Sequence, residues 1–488
     1  MASTTLTKPT AVMEWSAIID GETIAAASQG TFDVTNPATG EVIARVADCG
    51  AAEAERAIAA AERALTDWRA RSAADRGAIL RRWYELMLAD EERLARLITL
   101  EMGKPLAEAR GEIKYGAAYL KYYAEEAERI YGEIIPMPEP GTKALVTRGP
   151  VGVCAAITPW NFPNAMLMRK VAPALAAGCT MVAKPAEDTP LSALAAAEIA
   201  LKAGVPVGVF SVLPCSKPGE VGGALTASST VRKLSFTGST EVGRRLLEQC
   251  APTVKRTSME LGGNAPFIVF ADADLDAAVT GAMAAKYRNA GQTCVCANRI
   301  YVERSIADEF AAKLSKRAAT LKIGNGLEDG IEIGPMINAA ALAKTQDLLA
   351  DAIERGAKLV TGGSAIGDLF FQPTVITDVP QQARVIQEEI FGPVAPIVPF
   401  ESEAEVISAA NATEYGLAAY CYTKDLGRAF RMSDALDYGM VGINDGIVSA
   451  VGAPFGGVKQ SGMGREGSRH GIDDYLEIKY TRMGGLAA

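Results

Sequence analysis

The stretch K-Y-R-N-A-G-Q-T-C-V-C-A-N-R, residues 286–299, decides how the rest of the sequence is interpreted. It follows a segment of helical character, and Gly291 and Gln292 break that helix just before a cysteine. Polar residues surround Cys294, and Arg288 precedes it closely. A nearby cation and polar neighbours favour a thiolate, whereas apolar surroundings favour an inert thiol. The pattern therefore predicts a reactive Cys294, with a buried structural thiol as the alternative.

Composition and charge limit the classes of function. The chain has 488 residues, of which 49% are hydrophobic and 22% charged, as in globular proteins with a large core. Its net charge is −9 and no basic patch dominates, so we expect no nucleic-acid partner. The start of the chain lacks the apolar core of a signal peptide, and no run is long enough for a membrane span. Eight scattered cysteines favour free thiols in a reducing compartment, which predicts a cytoplasmic protein.

The chain has a single histidine, His470. This argues against a Ser-His-Asp triad and against a His-rich metal site, so we expect no metal. If Cys294 is a nucleophile, its general base is then expected to be a carboxylate. Glu260 is the candidate, because Met259 and Leu261 flank it and would partly desolvate its side chain. The alternative is an exposed glutamate at the end of a strand.

Alternating strands and helices indicate a doubly wound α/β fold. Apolar runs at 151–158, 180–184, 209–213 and 231–236 read as strands, and helical segments at 167–177 and 192–203 separate them. A second alternating α/β region begins near residue 267. Ligands in such folds bind outside the carboxyl ends of the strands. Polar residues that follow the strands are therefore the candidate site residues.

Two turns after predicted strands carry such residues. In P-W-N-F-P, residues 159–163, Asn161 could donate its amide to an oxyanion, with an ordinary turn asparagine as the alternative. In S-F-T-G-S-T-E-V-G, residues 235–243, a glycine turn leads into a helix. Free amides at that helix start favour a phosphate, although an ordinary N-cap is the alternative.

Seven motifs together resemble the aldehyde dehydrogenase superfamily. They are P-W-N-F-P at 159–163, K-P-A-E at 184–187, F-T-G-S at 236–239, M-E-L-G-G at 259–263, G-Q-T-C at 291–294, E-I-F-G-P at 389–393 and P-F-G-G at 454–457. The resemblance implies a doubly wound cofactor-binding domain, an α/β catalytic domain and a small bridging sheet. The implied boundaries are 1–132 with 151–263 for the NAD-binding domain, 264–470 for the catalytic domain, and 133–150 with 471–488 for the bridging segments.

The resemblance also implies the chemistry of the site. Cys294 would attack an aldehyde to give a thiohemiacetal, and loss of hydride to a nicotinamide would give a thioester. Asn161 and the backbone amide of Cys294 would stabilise the oxyanion, and Glu260 would activate water for hydrolysis. The implied cofactor-binding residues are Thr158, Pro159, Trp160, Lys184, Glu187, Gly238, Ser239, Leu261, Glu389 and Phe391.

The choice of cofactor follows from Glu187, which by the resemblance holds the adenosine ribose together with Lys184. A carboxylate there accepts hydrogen bonds from the ribose hydroxyls and repels a 2′-phosphate. Some relatives that use NADP carry serine at this position. We therefore expect NAD to be preferred over NADP, although Lys184 remains able to pair with a phosphate.

The succinate-semialdehyde dehydrogenase branch of the family is the most similar, on R-N-A-G-Q-T-C-V-C-A-N-R, S-G-M-G-R-E-G and D-Y-L-E-I-K-Y. The implied substrate is an aldehyde that bears a carboxylate, succinate semialdehyde first, with glutarate semialdehyde or another aldehyde as the alternative. Arg169, Arg288 and Ser449 would bind the carboxylate, because arginine recognises carboxylates in a fork geometry. A surface ion pair is the alternative for each arginine.

Relatives with a C-V-C pair imply a reversible disulfide between Cys294 and Cys296, a redox switch that depends on loop geometry. The family also implies that the tail around residues 475–481 joins a neighbouring subunit's sheet, in a homodimer or homotetramer. Other classes remain as alternatives: a thiol-redox protein, a non-catalytic scaffold, or a relative that releases the thioester to coenzyme A. The presence of Glu260 favours hydrolysis.

Overall fold

The computed structural model describes residues 12–486. Residues 1–11 of the predicted NAD-binding domain and residues 487–488 of the predicted bridging segment lie outside the described residues. The domain boundaries themselves stay a prediction.

The first half of the described chain alternates helices and strands. Its strands are β1 (Met13–Trp15), β2 (Ala17–Ile19), β3 (Glu22–Ile24), β4 (Thr31–Thr35), β5 (Val42–Ala47), β6 (Glu133–Pro136), β7 (Lys143–Pro150), β8 (Val153–Ile157), β9 (Thr180–Lys184), β10 (Phe210–Val212), β11 (Val231–Thr237) and β12 (Arg256–Glu260). Its α-helices are α1 (Ala51–Ala70), α2 (Ala73–Ala89), α3 (Glu91–Met102), α4 (Leu106–Glu126), α5 (Ala165–Ala177), α6 (Leu191–Ala203), α7 (Pro218–Ala227) and α8 (Thr240–Cys250).

The second half continues the alternation. Its strands are β13 (Ala265–Val269), β14 (Ala297–Glu303), β15 (Lys358–Thr361), β16 (Ala365–Ile366), β17 (Phe370–Phe371), β18 (Thr374–Thr377), β19 (Val394–Phe400), β20 (Ala418–Tyr422), β21 (Met440–Ile443), β22 (Gly462–Met463) and β23 (Leu476–Met483). Its α-helices are α9 (Leu275–Tyr287), α10 (Arg304–Ala318), α11 (Ala339–Glu354), α12 (Arg384–Gln387), α13 (Glu403–Asn411) and α14 (Leu426–Ala435).

The first large sheet has the strand order β22-β12-β11-β8-β9-β10-β2-β3. Its strands from β12 to β10 are parallel, and β22 and β2 pair with them antiparallel. Successive residues of β8 enter two different cores: Cys154 and Ala156 pack with α2, α4, α5 and α6, whereas Val153 and Ala155 pack with α1, α7 and α8. Helices therefore cover both faces, which confirms the predicted doubly wound α/β arrangement.

The second large sheet has the order β15-β18-β19-β14-β13-β20-β21, parallel except for β15. Its two faces also differ, because Phe267 and Val269 of β13 pack with α9 and α10, while Ile268 packs with α11, α13 and α14. Cys294 lies just before β14, and Glu389 lies shortly before β19. This sheet thus turns its amino-terminal edge toward the carboxyl edge of the first sheet.

A small antiparallel sheet has the order β23-β7-β6, and a small mixed sheet has the order β1-β5-β4, in which β1 is parallel and β4 antiparallel to β5. Strand β22 belongs to the residues predicted for the catalytic domain, yet it pairs with β12 of the first sheet. Among residues 12–486, no helix combines the length and the apolar character that a membrane crossing requires.

Candidate active site

A cleft of about 300 Å³ opens where the two large sheets face each other. It contains twelve of the residues predicted from the sequence: Pro159, Trp160, Asn161, Arg169, Gly238, Ser239, Leu261, Arg288, Cys294, Glu389, Phe391 and Ser449. Five predicted residues do not line it: Thr158, Lys184, Glu187, Glu260 and Cys296. One cleft therefore gathers side chains that are far apart in the sequence.

Cys294 lies at the centre of this set, partly buried in the turn before β14. Burial raises the pKa of its thiol to about 12, and the positive charges of Arg169 and Arg288 oppose that shift without cancelling it. Burial therefore favours the neutral thiol over the expected thiolate in the ligand-free protein, because the loss of solvation outweighs the cations. Attack on a substrate requires the proton of Cys294 to be removed.

Asn161 bonds directly to the turn that carries Cys294. Its Nδ2 atom donates a hydrogen bond of 3.0 Å to the carbonyl oxygen of Gln292, two residues before Cys294. Its own carbonyl oxygen accepts hydrogen bonds from Lys104 and from the side chain of Asn289. The amide that could bind an oxyanion is thus buried beside Cys294, which favours the functional interpretation over an ordinary turn asparagine.

Glu260 ends β12 and lies behind the wall of the cleft. The glycines after it allow close packing, because a Cβ atom at Gly263 would stand 2.3 Å from the carbonyl oxygen of Cys294. Burial and the neighbouring Glu466 raise the pKa of the Glu260 carboxyl well above its usual range, against the pull of Arg169. The raised pKa favours the protonated carboxyl, which must lose that proton before it can act as a base.

One part of the cleft holds two arginines whose charges are compensated to different extents. Arg169 is buried, forms an ion pair with Glu466 and lies over the ring of Phe455 at 3.9 Å. The guanidinium of Arg288 lies 5.5 Å from the ring of Phe162 and makes no hydrogen bond or ion pair within residues 12–486. Its charge is therefore available to an anionic ligand.

The opposite part of the cleft has the features of a dinucleotide site. Helix α8 starts beside Gly238 and Ser239, so its free amides face the cleft region. Trp160 and Phe391 meet edge to face with ring centroids 5.5 Å apart. A backbone amide, that of Gly263, donates to Oε1 of Glu389 at 2.9 Å, and burial raises the pKa of this carboxyl to about 7.

Buried hydroxyl groups without hydrogen-bond partners also support a dinucleotide site. The hydroxyl oxygens of Thr158 and Thr237 are buried without a hydrogen-bond partner within residues 12–486. Buried hydroxyls rarely stay unpaired, so a polar ligand is expected to reach them. The ammonium group of Lys184 lies 3.3 Å from the carboxylate of Glu187 near this region, and the Glu187 side chain is 44% exposed. The residues present therefore fit a nicotinamide dinucleotide.

The sequence analysis missed several residues that line the cleft or contact a residue that lines it. Phe162, Phe455 and Glu466 stand inside motifs that were quoted for other residues, so their motifs were the available signal. Tyr115 lines the cleft and shares a hydrogen bond of 2.5 Å with Tyr119. No local pattern in the tyrosine-rich helix α4 singles out Tyr115.

Cys296 points away from the cleft. Its sulfur lies 3.4 Å from the ammonium group of the fully buried Lys286 and 3.5 Å from the carbonyl oxygen of the same residue. The positions of these atoms do not test a disulfide between Cys296 and Cys294, so the redox switch stays a prediction.

This geometry agrees with comparisons with known proteins. The model of the aldehyde dehydrogenase family matches residues 24–481. The fold and the cleft are those of an oxidoreductase, and the chain belongs to the aldehyde dehydrogenase family.

Individual relatives are similar over nearly the whole chain. The glutarate-semialdehyde dehydrogenase of Pseudomonas putida is 59% identical over 464 residues, 95% of this chain and 96% of the relative. The succinate-semialdehyde dehydrogenase [NADP(+)] of Escherichia coli is 58% identical over 470 residues, 96% of this chain and 97% of the relative. A solved structure, that of the succinate-semialdehyde dehydrogenase from Burkholderia pseudomallei, has a TM-score of 0.96 and 54% identity and covers 98% of this chain and 100% of its own. The predicted fold is confirmed.

The comparison corrects the prediction that NAD is preferred over NADP. That prediction is wrong, because the Escherichia coli relative with 58% identity is named for NADP(+). The structure gives a physical reason why Glu187 does not decide between NAD and NADP. Its carboxylate is largely solvated and is paired with Lys184, so its repulsion of a 2′-phosphate is screened and compensated.

Proposed function

We propose that this enzyme oxidises succinate semialdehyde to succinate with NADP as the hydride acceptor. The observation that carries the proposal is the guanidinium of Arg288, which has no hydrogen-bonded or ion-paired counter-ion among residues 12–486 and lies in the same cleft as the Cys294 thiol. An aldehyde that carries a carboxylate at its other end can meet both groups at once. The name of the Escherichia coli relative supports this substrate and this cofactor.

Glutarate semialdehyde is a second candidate with equal support from the relatives. The Pseudomonas putida enzyme with that name is 59% identical to this chain. The two substrates differ by one methylene group, which a hydrophobic pocket discriminates by only about 10- to 200-fold. The shared chemistry of both candidates is an aldehyde with a remote carboxylate.

The chain's own groups supply the steps of the proposed mechanism. The thiol of Cys294 loses its proton to solvent and the sulfur bonds to the aldehyde carbon, whose C=O π electrons move to the oxygen. The Asn161 amide and the Cys294 backbone N–H stabilise the oxyanion that forms. When bound, the nicotinamide supplies the acceptor for the hydride of that carbon. The resulting thioester on Cys294 is hydrolysed by water that Glu260 deprotonates, which releases the carboxylic acid and restores the thiol.

The residues of the other half of the cleft are proposed to hold the dinucleotide. Lys184 and Glu187 would bind the adenosine ribose and its phosphate, and Gly238 with Ser239 would contact the pyrophosphate. Glu389 would bind the nicotinamide ribose. The remaining proposed contacts are Thr158, Pro159, Trp160, Leu261 and Phe391.

The test is a comparison of kcat/KM for succinate semialdehyde, glutarate semialdehyde and butanal, each with NADP and with NAD and without coenzyme A. We expect both semialdehydes to exceed butanal by about 10-fold or more, because a charge-assisted pair contributes about 1.5–3 kcal/mol. Equal values for butanal and the semialdehydes would reject the acid-bearing substrate. A glutarate value above the succinate value would favour the second candidate.

We also propose a homodimer or homotetramer in the cytoplasm. The small sheet β23-β7-β6 exposes Ile134, Ile478 and Tyr480, with exposed fractions of 70%, 66% and 55%. Open edge strands with apolar side chains favour pairing with another chain. The eight cysteines are all free thiols, which suits a reducing compartment. Light scattering of the purified enzyme measures the number of subunits, and a monomeric mass would reject the assembly.

A further inference from the structure

A buried ion pair lies behind the turn that carries Asn161. The ammonium group of Lys104 is 2.6 Å from Oε2 of Glu112, and both side chains have no exposed surface. The same ammonium group donates a hydrogen bond of 2.7 Å to the carbonyl oxygen of Asn161. It also lies 3.8 Å from the centre of the Phe162 ring.

The partner carboxylate holds the other end of the Asn161 turn. Oε1 of Glu112 accepts hydrogen bonds of 2.9 Å from the backbone N–H of Asn164 and 3.2 Å from that of Ala165. These amides belong to the start of α5, where the helix dipole favours a negative charge. Lys104 and Glu112 thus fix both sides of the short segment that contains Asn161.

Helix α4 also contacts the turn that carries Cys294. The carboxylate of Glu108 accepts two hydrogen bonds, of 2.9 and 3.2 Å, from the backbone N–H of Asn289. Asn289 adopts a left-handed conformation with φ of 53°, which non-glycine residues rarely adopt without such support. Its side chain then donates to the carbonyl oxygen of Asn161 at 3.1 Å. The carbonyl of Asn161 is therefore held from two directions.

We infer that Lys104 and Glu112 are positioning residues that set the direction of the Asn161 amide toward the oxyanion at Cys294. The inference rests on the oxyanion role proposed above for Asn161. It does not depend on which semialdehyde is the physiological substrate. The carbonyl and the side-chain amide of Asn161 belong to one residue, so a shift of the carbonyl by the loss of Lys104 moves the amide as well. A displacement of about 1 Å in a catalytic group costs about 100-fold in rate.

The test variant replaces the whole pair, Lys104→Met with Glu112→Gln, because removal of one partner would leave a buried charge unpaired. The amide oxygen that Glu112→Gln introduces can still accept from the backbone amides at the start of α5. A second pair variant, Lys104→Gln with Glu112→Gln, has a shorter side chain at position 104 and serves if the first does not fold. The matched control is Glu101→Gln, another buried carboxylate, which accepts from the backbone N–H of Leu191 at 2.7 Å and of Ser192 at 2.9 Å at the start of α6.

The measured quantity is the rate of the pre-steady-state burst of reduced dinucleotide with saturating propanal and the dinucleotide that gives the higher kcat/KM. We expect the pair variant to lose about 10- to 100-fold in burst rate and Asn161→Ala to lose about 100-fold. The dissociation constant of the dinucleotide should stay within about twofold in both. Glu101→Gln should keep its burst rate within about twofold, whatever its change in Tm.

A double-mutant cycle separates positioning from general damage to the fold. Addition of the pair substitutions to Asn161→Ala should cause no further loss, because the group they position is already gone. Losses that multiply fully, or an unchanged burst rate in a folded pair variant, would overturn the inference while the role of Asn161 stands. An unchanged burst rate in Asn161→Ala would overturn that role and the inference with it.

Discussion

The guanidinium of Arg169 lies 2.6 Å from the carboxylate of Glu466, Nε to Oε2, and both side chains are buried. The ammonium group of Lys170 contacts the other oxygen of the same carboxylate at 2.5 Å. The single negative charge of Glu466 therefore partly compensates the positive charges of Arg169 and Lys170. Arg288 has no such counter-ion bonded to it within the described residues, so the two arginines predicted to bind substrate are not equivalent.

Replacement of Arg288 tests this asymmetry. Arg288→Gln should raise KM for succinate semialdehyde by about 10- to 100-fold, because a charge-assisted contact to the substrate carboxylate is lost. KM for butanal, which has no carboxylate, should stay within about threefold. Steady-state kinetics with both aldehydes provides the measurement. Similar losses on the two substrates would show that Arg288 acts on the fold or the nucleophile instead.

The pKa of Glu260 should respond to Glu466. The negative charge of Glu466 contributes to the raised pKa of the Glu260 carboxyl, so a neutral side chain there lowers that pKa. Because the base acts only when deprotonated, Glu466→Gln should move the rise of kcat with pH toward lower pH. Glu477→Gln, at an exposed position of β23, should leave the profile unmoved. A shift toward higher pH in Glu466→Gln would contradict the proposed electrostatics.

Glu260 itself should act after the hydride step. In Glu260→Gln the thioester on Cys294 should still form, so a burst of about one reduced dinucleotide per active site should remain. Steady-state turnover should fall by about 100- to 10,000-fold, because hydrolysis lacks its base. Stopped-flow absorbance separates the two phases. Loss of the burst together with turnover would assign Glu260 to the activation of Cys294 instead.

The pH dependence of Cys294 follows from its raised pKa. Only the thiolate reacts, and with a thiol pKa of about 12 its fraction grows tenfold per pH unit through the accessible range. Inactivation of the ligand-free enzyme by iodoacetamide should therefore accelerate from about pH 6 to about pH 9 without a plateau. Mass spectrometry identifies the alkylated residue, and Cys294→Ser is the control. A plateau near pH 7 would mean that the cations near Cys294 outweigh its burial.

The cofactor should be recognised through Lys184. Lys184→Met should lower kcat/KM for NADP by about 10-fold more than kcat/KM for NAD, because only NADP carries a phosphate for the ammonium group to bind. Glu187→Ser should change the ratio in the opposite direction, since it removes a carboxylate near that phosphate. The ratio of kcat/KM values for the two dinucleotides is measured for each variant. An unchanged ratio in both variants would place the 2′-phosphate elsewhere.

Much of the fold followed from local patterns. Strand β9 was predicted at its observed bounds, Thr180–Lys184, because its apolar run ends sharply at a Lys-Pro pair. Helix α9 ends at Tyr287, before the predicted break, because Asn289 and Ala290 take left-handed conformations ahead of the glycine. Helix α7 was missed, since its glycines give a low helix propensity that packing against α1 overrides.

The sequence by itself determined the order of strands and helices, the family, and a set of residues that converge on one cleft. Short motifs carry that information because the conformation of a turn at a strand end depends on residues that are adjacent in the sequence. The tertiary structure decided the electrostatic state of those residues. Burial raises the pKa of the Cys294 thiol, Glu466 from the far end of the chain pairs with Arg169, and Lys104 bonds to Asn161 across 57 positions. Desolvation and long-range charge contacts depend on which distant segments pack together, so a local pattern contains no signal for them.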